Sequence, residues 1–350
     1  MLMLNDKLKK ILCFVLGVII LVGLILGVGY SYNSRETVGK VANNKIHKNE
    51  FVFVLKTVRN TLEQSTLQPN ATKEDIDKFW NSVIEGKTAS EKAEDIALDE
   101  IKKLKIQEIK AKEENITLTK EEKDQNKREI DEMIEKLGGK VSAEEKINRV
   151  YGISSNAYRK IREDMKMVEK YANLAKENLN VTDEEVRNYY DENYENGDRV
   201  TVRHILISTV DKDQNDVSEE TMKEKEGLAY EILEKINNGE NFEELVKQYT
   251  EDTASKETLG QYTFTRGQMV PEFEEWAFSS EPGSTGVVKT NYGYHVMVKP
   301  TFEVLKDQVK DYALEKKYNE SIDELSKLPE YDLIINEKGL QNVRNIIAGQ

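Results

Sequence analysis

Cysteine, histidine and proline are all scarce in this chain: 350 residues contain one Cys, three His and five Pro. Cys13 has no second cysteine to pair with, so neither an intramolecular disulfide nor a thiolate metal cluster can form. His47, His204 and His295 are scattered, without a His-x-x-x-His spacing, which argues against a zinc enzyme. Basic residues are also in deficit. Lys and Arg number 51 against 65 Asp and Glu, a formal charge of −14, whereas a nucleic-acid scaffold needs a basic stripe. No cofactor is implied, and nucleic acid is not an expected partner. A hydrophobic content of 38% beside 33% charged residues indicates a helix-rich body with solvated faces rather than disorder. The length exceeds one ordinary core, so at least two domains are expected.

Long apolar runs are missing with a single exception, ILCFVLGVIILVGLILGVGY, Ile11 to Tyr30. A helix of about 20 residues crosses a hydrocarbon core of roughly 30 Å. Lys7, Lys9 and Lys10 precede the run, and Tyr30 and Tyr32 stand at its far edge. That polarity puts residues 1–10 in the cytoplasm, a single transmembrane anchor at 11–30 and the bulk of the chain outside. The run is long for a signal peptide and no clear small-residue cleavage site follows it, so the reading is an uncleaved anchor.

VGKVANNKIHKNEF signals a strand and turn that enter a helix near Phe51, with His47 as a solvated turn residue. From there to Asn196 the pattern is helical and charged. Thr72/Asp75, Thr119/Glu122, Ser142/Glu145 and Thr182/Glu185 each have the spacing of a helix-capping pair. Gly138-Gly139 and Gly152 supply breaks, while Ile96, Ile101, Leu104 and Ile109 mark an ordinary core face. Nothing in residues 35–198 has the pattern of a nucleophile, a phosphate loop or a metal site. A long helical segment without chemistry suits a holding role.

The texture changes near residue 199. VTVRHILIS reads as a strand, Glu219 to Asn237 and Asn241 to Tyr249 as helices, and GVVKT and YGYHVMVK as further strands. This is a compact α+β unit, residues 199–300, set between helical sequences. The segment 301–350 returns to charged helix and is expected to pack back on the first part. Two of the three histidines fall on strands at opposite ends of this unit, His204 beside Val202 and Leu206, His295 beside Met297. Antiparallel pairing of those strands would bring both rings together on an apolar sheet face, which favours a shared polar network over two unrelated core histidines.

VRHILI, YTEDTASK, FTRGQMVPEFEEWAF and TNYGYHVMVK, in this order and spacing, resemble the parvulin-type peptidyl-prolyl isomerase domain over Arg199 to Lys299. The resemblance implies a small antiparallel sheet surrounded by helices. It further implies a catalytic network of His204, His295, Asp252 and Thr290, and a proline-binding pocket of Met269, Phe273 and Phe278. The sequence departs from the family at ETLGQYTF, where only Gly260 of a Gly-rich run remains and Gln261 or Tyr262 stands near the usual pocket Leu. Pocket shape, and with it activity, stays open there, so a holdase or scaffold with an inactive parvulin domain is the alternative. Phosphate-selective relatives carry a basic cluster after the first strand. Here that place holds DKDQND, Asp211 to Asp216, which would repel a phosphorylated side chain. The flanks, residues 35–198 and 301–350, are similar to extracytoplasmic foldases of the PrsA type and to the chaperone region of SurA. That likeness implies a helical chaperone-like domain with an inserted parvulin domain. The implied partners are secreted polypeptides, unfolded or partly folded, that contain X–Pro bonds. The oligomeric state is not set by the sequence, and a homodimer stays open.

Overall fold

The computed structural model describes residues 36–348 apart from 69, 196 and 212–214. The expected anchor at 11–30 and the centre of Asp211 to Asp216 lie outside the described residues. Among those described, no helix is long and apolar enough to cross a membrane. The protein is a helix-rich α+β chain that divides into two compact units. One runs to Leu179 and resumes at Lys317; the other comprises Asn180–Lys316.

The first unit opens with a hairpin of β1 (Thr37–Val41) and β2 (Asn44–His47). Then come α1 (Lys48–Thr66), α2 (Lys73–Asn81), the short hairpin β3 (Val83–Ile84) and β4 (Lys87–Thr88), and α3 (Ala89–Glu113). After these follow α4 (Lys120–Lys136), α5 (Gly139–Tyr151) and α6 (Ser155–Asn178). Thr72, Thr88 and Thr119 each accept an amide at their helix start while the acid three residues on answers back. Ser142 does not do this, contrary to its spacing. Helix α5 starts at Gly139 behind the left-handed Gly138, and the Ser142 hydroxyl donates instead to the Leu137 carbonyl. His47 is not a solvated turn residue either. It is the half-buried cap of α1, its amide donating to the Glu50 carboxylate at 2.7 Å. Ala89, Ala93 and Ala97 make one side of α3 small enough for close approach, and Ile101 and Ile109 extend that face into the core. Lys105, on the same helix, is buried as an ion cluster with Glu50 at 2.6 Å and Glu108 at 2.9 Å.

The second unit begins with α7 (Asp183–Tyr190), capped by Thr182, and a π-helical turn, Asp191–Glu195. It continues through β5 (Arg199–Ser208), α8 (Glu219–Asn237), α9 (Phe242–Tyr249), β6 (Gln261–Thr265) and α10 (Pro271–Ser279). The hairpin β7 (Thr285–Thr290) and β8 (Gly293–Val298) completes an antiparallel sheet of order β6-β5-β8-β7. Helix α11 (Phe302–Ser326) follows, with Leu305, Val309 and Ala313 in the second unit's core. The chain ends in the first unit with β9 (Leu333–Ile335), which pairs antiparallel with β1, and α12 (Glu337–Ala348).

The period of two in β5 decides which side each residue faces. Ile205 and Ile207 point to α8 and α9, where Ala229, Ile232, Leu245 and Val246 close one core. Val200 and Val202 point the other way, to Phe264, Phe273, Ala277, Val288 and Met297 beneath α10. His204 continues this second row. One glycine is indispensable to it: at Gly260, with φ of 77°, an added Cβ would stand 2.3 Å from the His204 carbonyl oxygen. A Gly260→Ala chain is therefore expected to lose about 1–3 kcal/mol through strain at a left-handed residue. Urea unfolding reads this out, and an unchanged midpoint would show that the loop relaxes freely.

Candidate active site

Register brings the two histidines together. Leu206 pairs with His295 and His204 with Met297 across β5 and β8, so the rings are diagonal neighbours on the α10 side of the sheet. His204 is 2% exposed and His295 5%. Their Nδ1 atoms are 3.1 Å apart, which requires one to donate to the other. On the far side of each ring the Nε2 atom has its own partner: Asp252 Oδ2 at 3.0 Å for His204 and Thr290 Oγ1 at 2.9 Å for His295. All four residues singled out for the network thus form one chain of hydrogen bonds.

Charge and burial set the direction of that chain. The Asp252 carboxyl is held well below the usual carboxylate range, first by the hydrogen bond from His204, then by the Ser255 and Tyr262 hydroxyls and the Ala254 amide. An ionised Asp252 only accepts, so His204 Nε2 carries a proton toward it. Burial, reinforced by the neighbouring His204, pushes the His295 imidazole down to about 3, leaving it neutral at ordinary pH. With one proton on each ring every donor meets an acceptor. Tyr292 N–H donates to Thr290, Thr290 O–H to His295 Nε2, His295 Nδ1–H to His204 Nδ1, and His204 Nε2–H to Asp252.

Phe273 is the floor of the site. It is 3% exposed, and its ring lies nearly perpendicular to both imidazoles, 5.3 Å from His204 and 5.2 Å from His295. Pro271 at the start of α10 presets the helix that aims it. Met269 precedes that helix and packs half-buried against the same cluster. Phe278 sits one ring further out: it contacts Phe264, which contacts Phe273, and the Arg266 guanidinium lies 4.0 Å above it. The apolar residues expected to line a pocket therefore share one cluster, with the Phe273 ring set against both histidines.

Two residues join the network that no motif pointed to as its members. The Tyr262 hydroxyl donates to Asp252 Oδ2 at 2.8 Å, and its ring centre is 5.2 Å from that of His204. Ser255, fully buried, places its hydroxyl 3.2 Å from His204 Nε2. The altered ETLGQYTF segment was the available signal, since it put a Tyr where an apolar wall was expected. Gln261, its neighbour on β6, faces away and pairs with Gln308 of α11. Asp252 ends up surrounded by donors, a fixed anion rather than a base awaiting a proton. Among the described residues no group of His, Cys, Asp and Glu is arranged to hold a metal ion. The site can grip an apolar ring, exclude water and present one oriented negative charge.

An antiparallel sheet with paired histidines on its central strands above a buried Phe defines a parvulin-type peptidyl-prolyl cis/trans isomerase. Residues 189–299 match the PPIC-type PPIASE domain family, and residues 1–134 the SurA-like N-terminal domain family. The foldase protein PrsA of Caldanaerobacter subterraneus subsp. tengcongensis is 29% identical over 316 residues, 88% of this chain and 87% of that one. That of Geobacillus kaustophilus is 30% identical over 211 residues, 56% of this chain and 67% of that one. The crystal structure of PrsA from Bacillus subtilis aligns over 90% of this chain and 93% of that one, at 20% identity and a TM-score of 0.34. The chain belongs to the PrsA foldase family.

Proposed function

We propose that this protein is a single-pass, membrane-tethered foldase that catalyses X–Pro isomerisation in unfolded or partly folded secreted polypeptides outside the cytoplasmic membrane. The observation that carries the site assignment is the buried His204–His295 pair, tied to Asp252 and Thr290 and set against Phe273. Tethering rests on the apolar run Ile11 to Tyr30, and the holding role of residues 35–198 on their capped helices and on the SurA-like match.

Rotation about X–Pro meets a barrier of roughly 18–20 kcal/mol because amide resonance is lost midway. Left alone it takes tens to hundreds of seconds, slow enough to limit folding. Met269, Phe273 and Phe278 hold the pyrrolidine ring while the preceding carbonyl turns. Removing water from the imide disfavours its charge-separated resonance form, and the Asp252 charge beside the carbonyl oxygen disfavours it further. His204, His295 and Thr290 keep that charge and the pocket wall in place; none of them shuttles a proton.

Exchange on an X–Pro peptide tests the reading. A chain with both His204→Ala and His295→Ala is expected to lose at least about tenfold in kcat/KM, or ~1.4 kcal/mol of barrier lowering. A double variant as fast as the parent would sink the site assignment. A parent with no acceleration over buffer would leave only the holdase reading.

A further inference from the structure

We propose that Tyr262 is a positioning residue of the isomerase site, acting through its hydroxyl on Asp252 rather than by contact with the substrate. The inference rests on the isomerase reading above and adds a residue to it. Its geometric basis is independent of any motif. Tyr262 lies on β6 opposite Val202, so its side chain leaves the sheet on the same side as His204. There the hydroxyl reaches Asp252 Oδ2, the oxygen that also accepts from His204 Nε2.

Asp252 needs such a hold because its own segment is a loop. Glu251 N donates to the Leu206 carbonyl, and Asp252 N to the Thr250 hydroxyl at a long 3.4 Å, so the backbone is tied to β5 just before the carboxylate and next at Gly260, whose carbonyl accepts from His204 N. The carboxylate itself is part-exposed, 16% for the side chain. Oδ1 is fixed by Ala254 N–H at 3.0 Å within the loop. From the sheet, only His204 and Tyr262 reach Oδ2 among the described residues. Two donors from adjacent strands on one oxygen fix both its position and the plane of the carboxylate.

The tyrosine also responds to the anion. Burial and the Asp252 hydrogen bond push the Tyr262 phenol up to about 12, so it remains a donor throughout the working pH range. The charged and titratable groups around Asp252 are His204 on β5, Tyr262 on β6 and His295 on β8. Glu251, next in sequence, faces away to Ser208 N–H and Lys225. Removing the Tyr262 hydroxyl therefore leaves Asp252 with a single sheet donor and lets it bind a proton at higher pH.

Tyr262→Phe keeps the ring and deletes the hydroxyl; Tyr262→Leu deletes both. The full chain labelled with ¹⁵N-histidine has three imidazoles, so the protonated and bare nitrogens of His204 and His295 can be followed directly. In the parent the His204 Nε2–H signal reports the hydrogen bond to Asp252 Oδ2, and its pH dependence sets the reference. In Tyr262→Phe a titration step is expected to enter at least half a pH unit higher, as Asp252 protonates. The same chain is expected to show kcat/KM down three- to tenfold with KM little changed, and an acid limb displaced to the same extent. Phe with the parent's titration, kcat/KM and acid limb, and only Leu impaired, would overturn the proposal and leave Tyr262 a pocket wall. The imidazole titration is read without turnover, so an inactive parent would count against the isomerase reading and not against the link to Asp252.

Discussion

Replacing Phe273 by Ala is expected to lower kcat/KM for X–Pro exchange by at least roughly 100-fold, equivalent to about 2.7 kcal/mol of lost transition-state stabilisation. In the proposed pocket Phe273 supplies the buried surface under the pyrrolidine ring, and burying an apolar ring of that size is worth about 1.5–3 kcal/mol. Its ring also stands at near right angles to both imidazoles. Truncation would let water reach the Nδ1–Nδ1 contact and undo the burial that holds His295 neutral. The pocket and the network beside it fail together.

The same residue is core. Phe273 is 3% exposed and touches Phe264 as well as the histidines, so its removal is expected to cost about 3–5 kcal/mol of stability. Activity and folding must therefore be separated. Phe273→Leu retains most of the volume at a cost of about 1.5 kcal/mol or less, and should keep the fold while losing about tenfold in kcat/KM, the equivalent of ~1.4 kcal/mol. Urea midpoints measured beside the exchange rates assign each loss to its cause. A folded Phe273→Ala chain working at the parent rate would move the proline pocket elsewhere.

What was legible in the sequence follows from how local the determining physics is. Strand alternation alone placed His204 with Val202 and Leu206, because a period of two leaves no freedom once one face is apolar. Helices α8 and α9 of the second unit were legible in the sequence, the second of them from its cap Asn241. Ser142 misled because its pairing with Glu145 has the right spacing, but Gly138 caps the helix four residues earlier. Strands of two residues leave no period to detect, so β3 and β4 were invisible. The partnership of β9 with β1 joins residues nearly 300 positions apart. Lys105 was not singled out, since one of the carboxylates that pair with it, Glu50, comes from another helix. Tyr262 was missed as a donor for a related reason. Its partner lies ten residues back across a loop that turns through left-handed Leu259 and Gly260, and no spacing rule encodes such a path.

Lowering the pH from 7.5 to 5.0 is expected to destabilise the second unit and not the first. His295 binds its proton only near 3 in the folded chain, against about 6.5 when unfolded. Below about 6.5 the unfolded state takes up a proton that the folded state refuses. Stability is then full above that pH and falls by roughly 1.4 kcal/mol per unit well inside the window down to about 3. Asp252 adds a loss of the same sign, but only below about 4, where an ordinary Asp protonates and this one does not. In the first unit Glu100 has the opposite sign. Burial pushes its carboxyl up to about 7 from an ordinary 4.5, and its Oε1 is a buried atom without a hydrogen-bond partner. The folded state therefore binds the proton first, and stability rises as pH falls from about 7 to 4.5. The chain's two tryptophans divide between the units, Trp80 in the first and Trp276 in the second. Trp276→Phe and Trp80→Phe chains thus report each unit separately by fluorescence during urea unfolding. The Trp276 transition is expected to move to lower urea at pH 5.0, while the Trp80 transition holds or moves up. His295→Phe should flatten the first shift and leave the second as it was. Parallel shifts at both tryptophans, or a His295→Phe chain with the parent's slope, would mean that His295 is not the group whose burial makes the site sensitive to acid.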